Sequence, residues 1–235
     1  MLPMLSYEGK ILMKTKSSMQ LGPNGNGAFF HALKTNPSIM QSLDNGGVKY
    51  IHIIGVDNVM NRVLDPLFVG LAIKKELKVA AKACGKRSPD DKVGVIAQMD
   101  GKIDVIEYSE IGPTLSELTF ADGELVYNEG SILIFLLAYD TLKDVILEGS
   151  VDALNSLYHV ANKKGAYYDE ETDTTVTPTE PNAYKLELFI HNFLAFVDDK
   201  FGVLRVKRED EFAPVKNPPG SDVDSPDTAR AMMYD

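Results

Sequence analysis

The stretch Val48-Lys49-Tyr50-Ile51-His52-Ile53-Ile54-Gly55-Val56-Asp57-Asn58 decides the fold class. Its β-branched residues run on with no polar face except at Lys49 and His52, the pattern of a buried central strand. The run ends in Asp57-Asn58. In open α/β sheets ligands sit outside the carboxyl ends of strands, so an acidic residue there is placed to hold a metal or a ribose. An Asx-type cap on the next helix accounts for the same residues equally well. Asp65-Pro66-Leu67-Phe68 to Lys75 then reads as a helix with Pro66 in its first turn.

Upstream, Met1 to Leu5, Tyr7-Glu8-Gly9-Lys10 and Ile11-Leu12-Met13 read as a hairpin around Glu8-Gly9. Leu21-Gly22-Pro23-Asn24-Gly25-Asn26-Gly27 follows, feeding a helix over Ala28 to Leu33. Such a loop has little side-chain bulk. It is either a plain surface turn or a place where main-chain N–H groups approach a base or phosphate, with the helix dipole favouring an anion.

Downstream, Lys92 to Met99 and Lys102 to Tyr108 flank Asp100-Gly101, the dipeptide that type I′ hairpin turns favour. A second Asp-Gly, Asp122-Gly123, separates Leu118-Thr119-Phe120 from Glu124 to Tyr127. Asn128-Glu129-Gly130-Ser131 turns into Ile132 to Tyr139, which by length is a strand or a buried helix. Val151 to Lys164 carries apolar residues at helical spacing, and Tyr184 to Phe201 reads as a second amphipathic helix. Between them Asp169 to Pro181 reads as a polar, Thr-rich loop. A strand around Val203 to Val206 leads into Arg208-Glu209-Asp210-Glu211-Phe212-Ala213-Pro214-Val215-Lys216-Asn217, and Pro218 to Arg230 reads as loop. Strands alternating with helices give an α/β sheet, mixed because hairpins are inserted.

The composition narrows the function. Over 235 residues, 24 Lys+Arg against 34 Asp+Glu give a net charge of −10, which disfavours nucleic acid as a partner. One cysteine, Cys84, forms neither an internal disulfide nor a multi-thiolate metal site. The longest apolar run is too short to cross a bilayer, and Pro3, Glu8 and Lys10 break any leader-like stretch, so a reduced, cytoplasmic protein without membrane contact is expected. Cys84 has no neighbouring His, and no Gly-x-Ser-x-Gly elbow supports nucleophilic catalysis. His31, His52, His159 and His191 lack metal-ligand spacing. What remains is a Gly/Asn-rich loop, a strand-terminal Asp-Asn, a Glu-Tyr at a hairpin end and a late lysine. That set suits phosphoryl or nucleotidyl transfer, in which position and electrostatics do the chemistry. Lys185, Arg208 and Lys216 are the candidate cations for a polyanionic substrate, though charged runs are commonly solvated faces.

The order of these segments carries a resemblance. Pro23-Asn24-Gly25-Asn26-Gly27, Val56-Asp57-Asn58, Asp65-Pro66-Leu67-Phe68-Val69-Gly70, Val105-Ile106-Glu107-Tyr108-Ser109-Glu110-Ile111, His159 to Lys164, Pro181-Asn182 leading to Lys185, Arg208 to Asn217 and Pro226 to Arg230 together closely resemble the eukaryotic UDP-N-acetylglucosamine pyrophosphorylases. The resemblance implies a Rossmann-like, GT-A-like nucleotidyltransferase core with a mixed, mostly parallel sheet and inserted hairpins. It implies a magnesium-dependent uridylyltransferase making UDP-N-acetylglucosamine and pyrophosphate from UTP and N-acetylglucosamine 1-phosphate. Pro23, Gly25 and Asn26 are then expected at the nucleotide, and Asp57 by the ribose and phosphates, where Mg²⁺ is expected. Glu107, Tyr108, Asn128, Ser131 and Phe189 are expected around the sugar, and Lys216 at the phosphates.

Ser131 stands where the family's Asn-Ala-Gly-Asn turn has an amide, and a hydroxyl reaches less far and offers fewer hydrogen bonds. A UDP-sugar pyrophosphorylase of broader sugar choice is therefore an alternative. The resemblance also implies that residues 1–235 are the central part of the catalytic domain, with a Gly-rich, Arg-containing loop expected upstream and a further region downstream. A non-catalytic UDP-sugar-binding protein is the corresponding alternative from another class.

Overall fold

The structure, a computed structural model, describes residues 1–147, 153, 157–197 and 200–234. In chain order, β1 (Leu2–Pro3), β2 (Leu5–Ser6), β3 (Met13–Thr15), β4 (Ser18–Met19) and β5 (Leu21–Gly22) precede α1 (Ala28–Thr35) and α2 (Pro37–Asn45). Next come β6 (Tyr50–Ile54), α3 (Pro66–Lys74), β7 (Val79–Gly85), β8 (Val95–Met99), β9 (Lys102–Ile106), α4 (Gly112–Ser116), β10 (Glu129–Ala138) and α5 (Tyr139–Leu147). Then β11 (His159–Lys163), β12 (Tyr167–Asp169), β13 (Thr174–Val176) and β14 (Ala183–Glu187) lead through a 3-10 segment (Ile190–Phe196) to β15 (Phe201–Arg205), α6 (Arg208–Glu211) and α7 (Pro226–Tyr234). The chain divides into two compact units, residues 1–42 with 145–193, and residues 43–144 with 194–235.

The first unit is built from short strands. An antiparallel sheet runs β11-β14-β2, and β1-β5, β3-β4 and β12-β13 form separate pairs. The hairpin around Glu8-Gly9 is present: Leu5 bridges Ile11, and Gly9 sits at φ +78°. Phe30 of α1 is fully buried and stacks on Phe193 at 5.4 Å between ring centroids.

Three expectations in this unit fail. His159–Lys163 is a strand, not the end of a helix; the remainder of Val151 to Lys164 falls largely outside the described residues. Ala183–Glu187 pairs with it in register from His159↔Glu187 to Lys163↔Ala183, so cross-strand pairing overrides helical spacing. The Thr-rich stretch 169–181 is in part a hairpin arm, Thr174–Val176, pairing with Tyr167–Asp169. Thr has high β-propensity, which the polar composition masks.

The second unit holds one sheet in the order β15-β7-β10-β8-β9, with β6 also paired to β10. Its alternating residues Ile132, Ile134 and Leu136 pack with Phe68, Ala72, Leu77, Ala80, Cys84 and Phe212 into one core. β7, rich in small apolar residues, is buried from Val79 to Cys84. The Asp100-Gly101 turn is as expected, with φ +49° and +80° joining β8 to β9, and Asp65 caps α3 by accepting from the Leu67 N–H.

The sheet is mixed, but its balance differs from the expectation. Among the described residues only β15 and β7 run parallel, because the long strand β10 is antiparallel to β6, β7 and β8. Residues 48–56 do not form a central strand: Tyr50–Ile54 pairs with β10 alone among the described residues and is only partly buried. The stretch 218–230 is not all loop either, since Pro226 opens the helix α7. Between Ser131↔Ala83 and Ile134↔Lys82 the β10 register gains two residues in a bulge that holds Leu133 at φ +56°. An even insertion keeps alternate side chains on their original faces.

Candidate functional site

The expected site residues fall into two groups, one in each unit. In the first unit the Gly-rich loop lies against the chain at Leu188 to Ile190. The Leu188 N–H donates to Asn24 O at 2.9 Å, and the Gly27 N–H donates to Leu188 O at 2.8 Å. A Cβ on Gly25 would stand 2.3 Å from Leu188 O, and one on Gly27 would stand 2.7 Å from Phe189 O. Both glycines are therefore required by the loop's own packing, and Gly25 also by its φ of +79°. Asn26 is occupied as well: its Oδ1 accepts the Ile190 N–H at 2.8 Å. Asn24 Oδ1, by contrast, is buried and has no hydrogen-bond partner among the described residues.

Phe189 is thus brought beside the loop. Its ring stacks on His191 at 5.2 Å and tilts against His159 at 4.7 Å. Asn192 fixes this corner, accepting the Phe189 N–H at 2.7 Å and meeting His159 Nε2 at 3.2 Å. Burial, reinforced by the neighbouring His159, pushes His191 down to about 3, so its ring is neutral at physiological pH. Lys185 is committed to Glu187 at 2.6 Å.

In the second unit the Val-Asp-Asn segment is stitched to the late Ala-Pro-Val-Lys segment. Asn58 bridges Pro214 in an antiparallel contact, the Val59 N–H donates to Ala213 O at 3.3 Å, and the Val215 N–H donates to Asp57 O at 2.9 Å. Buried Asn58 reinforces the seam, donating from Nδ2 to Glu211 O at 2.8 Å and accepting the Ala213 N–H at 2.9 Å. Asp57 and Lys216, 159 positions apart in sequence numbering (216 − 57), thereby lie on neighbouring loop segments joined by an isolated bridge. The bulge takes part: Leu133 O accepts the Gly55 N–H at 2.9 Å, and a Cβ on Gly55 would stand 2.9 Å from Asp57 Oδ1.

Lys216 is exposed, and its Nζ reaches Lys92 O at 3.4 Å. Lys92 and Tyr108 line an open cleft of about 440 Å³ with Asp90, Ile111 and Glu117. Glu107, Gly94 and Ser131 are adjacent: the Ser131 N–H donates to Gly94 O at 2.7 Å, and a Cβ on Gly94 would meet Glu107 Oε1 at 3.3 Å. Asn128 turns inward, with Oδ1 accepting the Lys86 N–H at 2.7 Å.

Two charged clusters escaped the sequence reading. Lys82, in the middle of β7, is fully buried and pairs with Asp65 at 2.6 Å and Glu211 at 2.5 Å. Burial opposes ionisation of Asp65, but the Lys82 ammonium and the Leu67 N–H outweigh it and hold the carboxyl below its ordinary range. Asp91 is likewise buried, and although burial works against its charge, Arg87 and Arg208 keep its carboxyl low. Arg208 meets Asp91 at 2.8 Å, so it is a structural cation rather than a waiting phosphate ligand. Cys84 lies 3.7 Å from Arg208 Nη1, yet burial pushes its thiol up, away from the nucleophilic form. The one available signal was Lys82 itself, a lone charge within Val79-Ala80-Ala81-Lys82-Ala83-Cys84-Gly85.

No helix of the described residues is long and apolar enough to cross a membrane. Residues 1–222 match the family model described as UTP–glucose-1-phosphate uridylyltransferase. The chain is 38% identical over 233 residues to a UDP-N-acetylhexosamine pyrophosphorylase-like protein 1 of Homo sapiens, covering 99% of this chain and 45% of that protein. It is 40% identical over 231 residues to the UDP-N-acetylglucosamine pyrophosphorylase of Saccharomyces cerevisiae, covering 97% of this chain and 48% of that one. A crystal structure of the Trypanosoma brucei uridine diphosphate N-acetylglucosamine pyrophosphorylase, in complex with inhibitor, superposes with a TM-score of 0.81 at 32% identity, covering 98% of this chain and 45% of that one. The chain thus spans about half the length of the curated relatives it matches.

Proposed function

Because the chain belongs to the UTP–glucose-1-phosphate uridylyltransferase family, we propose that it carries a uridylyltransferase site for N-acetylglucosamine 1-phosphate. The sugar phosphate oxygen attacks the α-phosphorus of UTP, the α–β P–O bond breaks, and UDP-N-acetylglucosamine and pyrophosphate result. The observation that carries this reading is the seam of residues 57–59 with 213–215, which joins the main chain of Asp57 to that of Val215, the residue before the exposed Lys216. The relatives' names supply the sugar.

The chain's own residues divide the work. The Pro23–Gly27 loop takes the uridine, with Gly25 and Asn26 shaping it and Asn24 Oδ1 left to accept from a base N–H. Lys216 offsets charge on the phosphates as a flexible point charge. The family's motifs assign Glu107, Tyr108, Asn128, Ser131 and Phe189 to the sugar, with Asn128 Oδ1 already accepting the Lys86 N–H. Asp57, whose carboxylate is half-buried, is the residue that would hold Mg²⁺, an ion typically held by one or two carboxylates plus substrate phosphates. When bound, the ion neutralises charge on the transferring group and orients it. A cytoplasmic setting agrees with a single, buried thiol.

Pyrophosphate release from UTP, N-acetylglucosamine 1-phosphate and Mg²⁺, alongside calorimetric titration with UDP-N-acetylglucosamine, tests the proposal. Lys216→Ala is expected to lower turnover roughly 10²–10³-fold, the range for losing one group that stabilises developing charge. Binding without turnover selects the non-catalytic alternative; neither binding nor turnover rejects the site. Ser131 supports a second reading, broader sugar choice, which a rate on glucose 1-phosphate similar to that on N-acetylglucosamine 1-phosphate would establish.

A further inference from the structure

We propose that Lys82 is a positioning residue for Asp57 and Lys216, acting through Glu211. The proposal rests on the functional reading above and adds a residue that cannot itself meet a substrate. Lys82 has no exposed surface, and its ammonium is shared between Asp65 Oδ2 at 2.6 Å and Glu211 Oε2 at 2.5 Å. Both carboxylates are themselves nearly buried, with side chains 11% and 6% exposed.

From that ammonium a continuous set of contacts leads to the seam. Glu211 ends α6, and its main-chain oxygen receives Asn58 Nδ2 at 2.8 Å. Asn58 Oδ1 receives the N–H of Ala213, and the Val215 N–H donates to Asp57 O at 2.9 Å. Lys216 is the next residue. On the other side Asp65 caps α3, so one ammonium ties the start of that helix to the segment carrying Lys216. Arg62 stands 3.8 Å from the other Glu211 oxygen, so two cations face two carboxylates.

An apolar side chain on β7 would avoid the desolvation that two buried carboxylates and an ammonium entail. Buried ionic groups are directional, and here the direction adds to the apolar packing of Phe212 in the same core a fixed position for the Glu211 carboxylate. The segment beyond Glu211 is held at its far end by the Lys216 and Asn217 N–H groups donating to Asp224 O at 2.7 and 2.9 Å and in its middle by buried Phe212, so Lys82 fixes its near end, where Asn58 meets Glu211 O.

The test is Lys82→Met, which keeps length and removes charge, with Lys82→Arg as the conservative variant and Glu211→Gln as substitute should Lys82→Met fail to unfold cooperatively. Native-state amide exchange is read at Val59, Ala213 and Val215, against core amides of β7 and β10. The expected result is exchange at least tenfold faster at the three seam amides, with core amides unchanged and partial recovery in Lys82→Arg. Calorimetry with inorganic pyrophosphate and Mg²⁺ gives the functional arm: Lys82→Met and Lys216→Ala each weaken binding about tenfold, and the double variant weakens it no further than either alone. Unchanged seam amides overturn the proposal. A uniform acceleration through β7 and β10 also overturns it, since that is loss of stability and not of placement. If the unaltered chain does not bind pyrophosphate, the functional reading fails, and the amide arm still decides whether Lys82 holds the seam.

Discussion

The Gly-rich loop of the first unit and the Asp57–Lys216 seam of the second solve the same problem, holding polar main chain in one place, by opposite means. The loop uses absence. Gly25 and Gly27 let it lie against Leu188 and Phe189, and uncharged hydrogen bonds lock it there. The seam uses charge. Lys82 and Glu211 are buried with the nearly buried Asp65, and Arg208 of α6 is held by Asp91, which also pairs with Arg87. A contact made by omitting atoms has no tolerance for added ones, whereas a contact made by charge depends on every partner staying ionised.

The largest effect is expected where omission is absolute. Gly25→Ala meets a carbonyl oxygen at 2.3 Å and a left-handed φ together, and should cost about 4 kcal/mol in urea-unfolding stability. Gly9→Ala shares the φ, +78° against +79°, but has open space around it, and should cost only about 1 kcal/mol. Equal costs for the two would show that the loop's packing contributes nothing. On the charged side, Arg208→Met leaves Asp91 with Arg87 alone and should cost about 3 kcal/mol, a loss that 1 M NaCl leaves nearly intact because the pair is buried.

Acid separates the regions further. His191 is held at about 3 against an ordinary 6.5, so the folded state refuses a proton that the unfolded chain accepts. Stability contributed by the neutral ring is whole above pH 6.5 and falls by up to about 1.4 kcal/mol per pH unit as pH drops from 6.5 toward 3. His191→Phe should flatten that slope in urea midpoints measured between pH 7 and 4. In the second unit His52, lowered by burial and by Lys82, works in the same direction. Asp65 and Asp91, whose carboxyls sit below the ordinary range, keep their contribution until pH falls below about 4 and lose it from there down. The smallest effect is chemical: Ser131→Asn restores an amide to the sugar turn and should shift the preference for N-acetylglucosamine 1-phosphate over glucose 1-phosphate by about fivefold, near 1 kcal/mol.

The same contrast explains what the sequence disclosed. Gly25, Asp100-Gly101 and Asp65-Pro66 announce themselves because their constraints are local: a φ value, a turn type, a capped first turn. The order of motifs revealed the family and nominated Asp57 and Lys216. What stayed hidden is non-local. Lys82 is 129 positions from Glu211, and Asn58 is 153 from the carbonyl it binds, so neither pairing leaves a local pattern. Val151 to Lys164 and Tyr184 to Phe201 show helical spacing, but 159–163 and 183–187 within or beside them are strands because each supplies the other's hydrogen bonds. Arg208 to Glu211 looked like a solvated charge run, yet Glu211 is 4% exposed.

Cys84 turns that buried architecture into an instrument. It is the sole thiol of the chain, buried in the second unit's core on the same face of β7 as Ala80, with its sulfur kept protonated by burial. A water-soluble alkylating reagent therefore has nothing to attack until β7 comes away from its neighbours. Labelling kinetics on the unaltered polypeptide would clock that opening directly, with no engineered reporter, and would say how often the strand that carries Lys82 lets go.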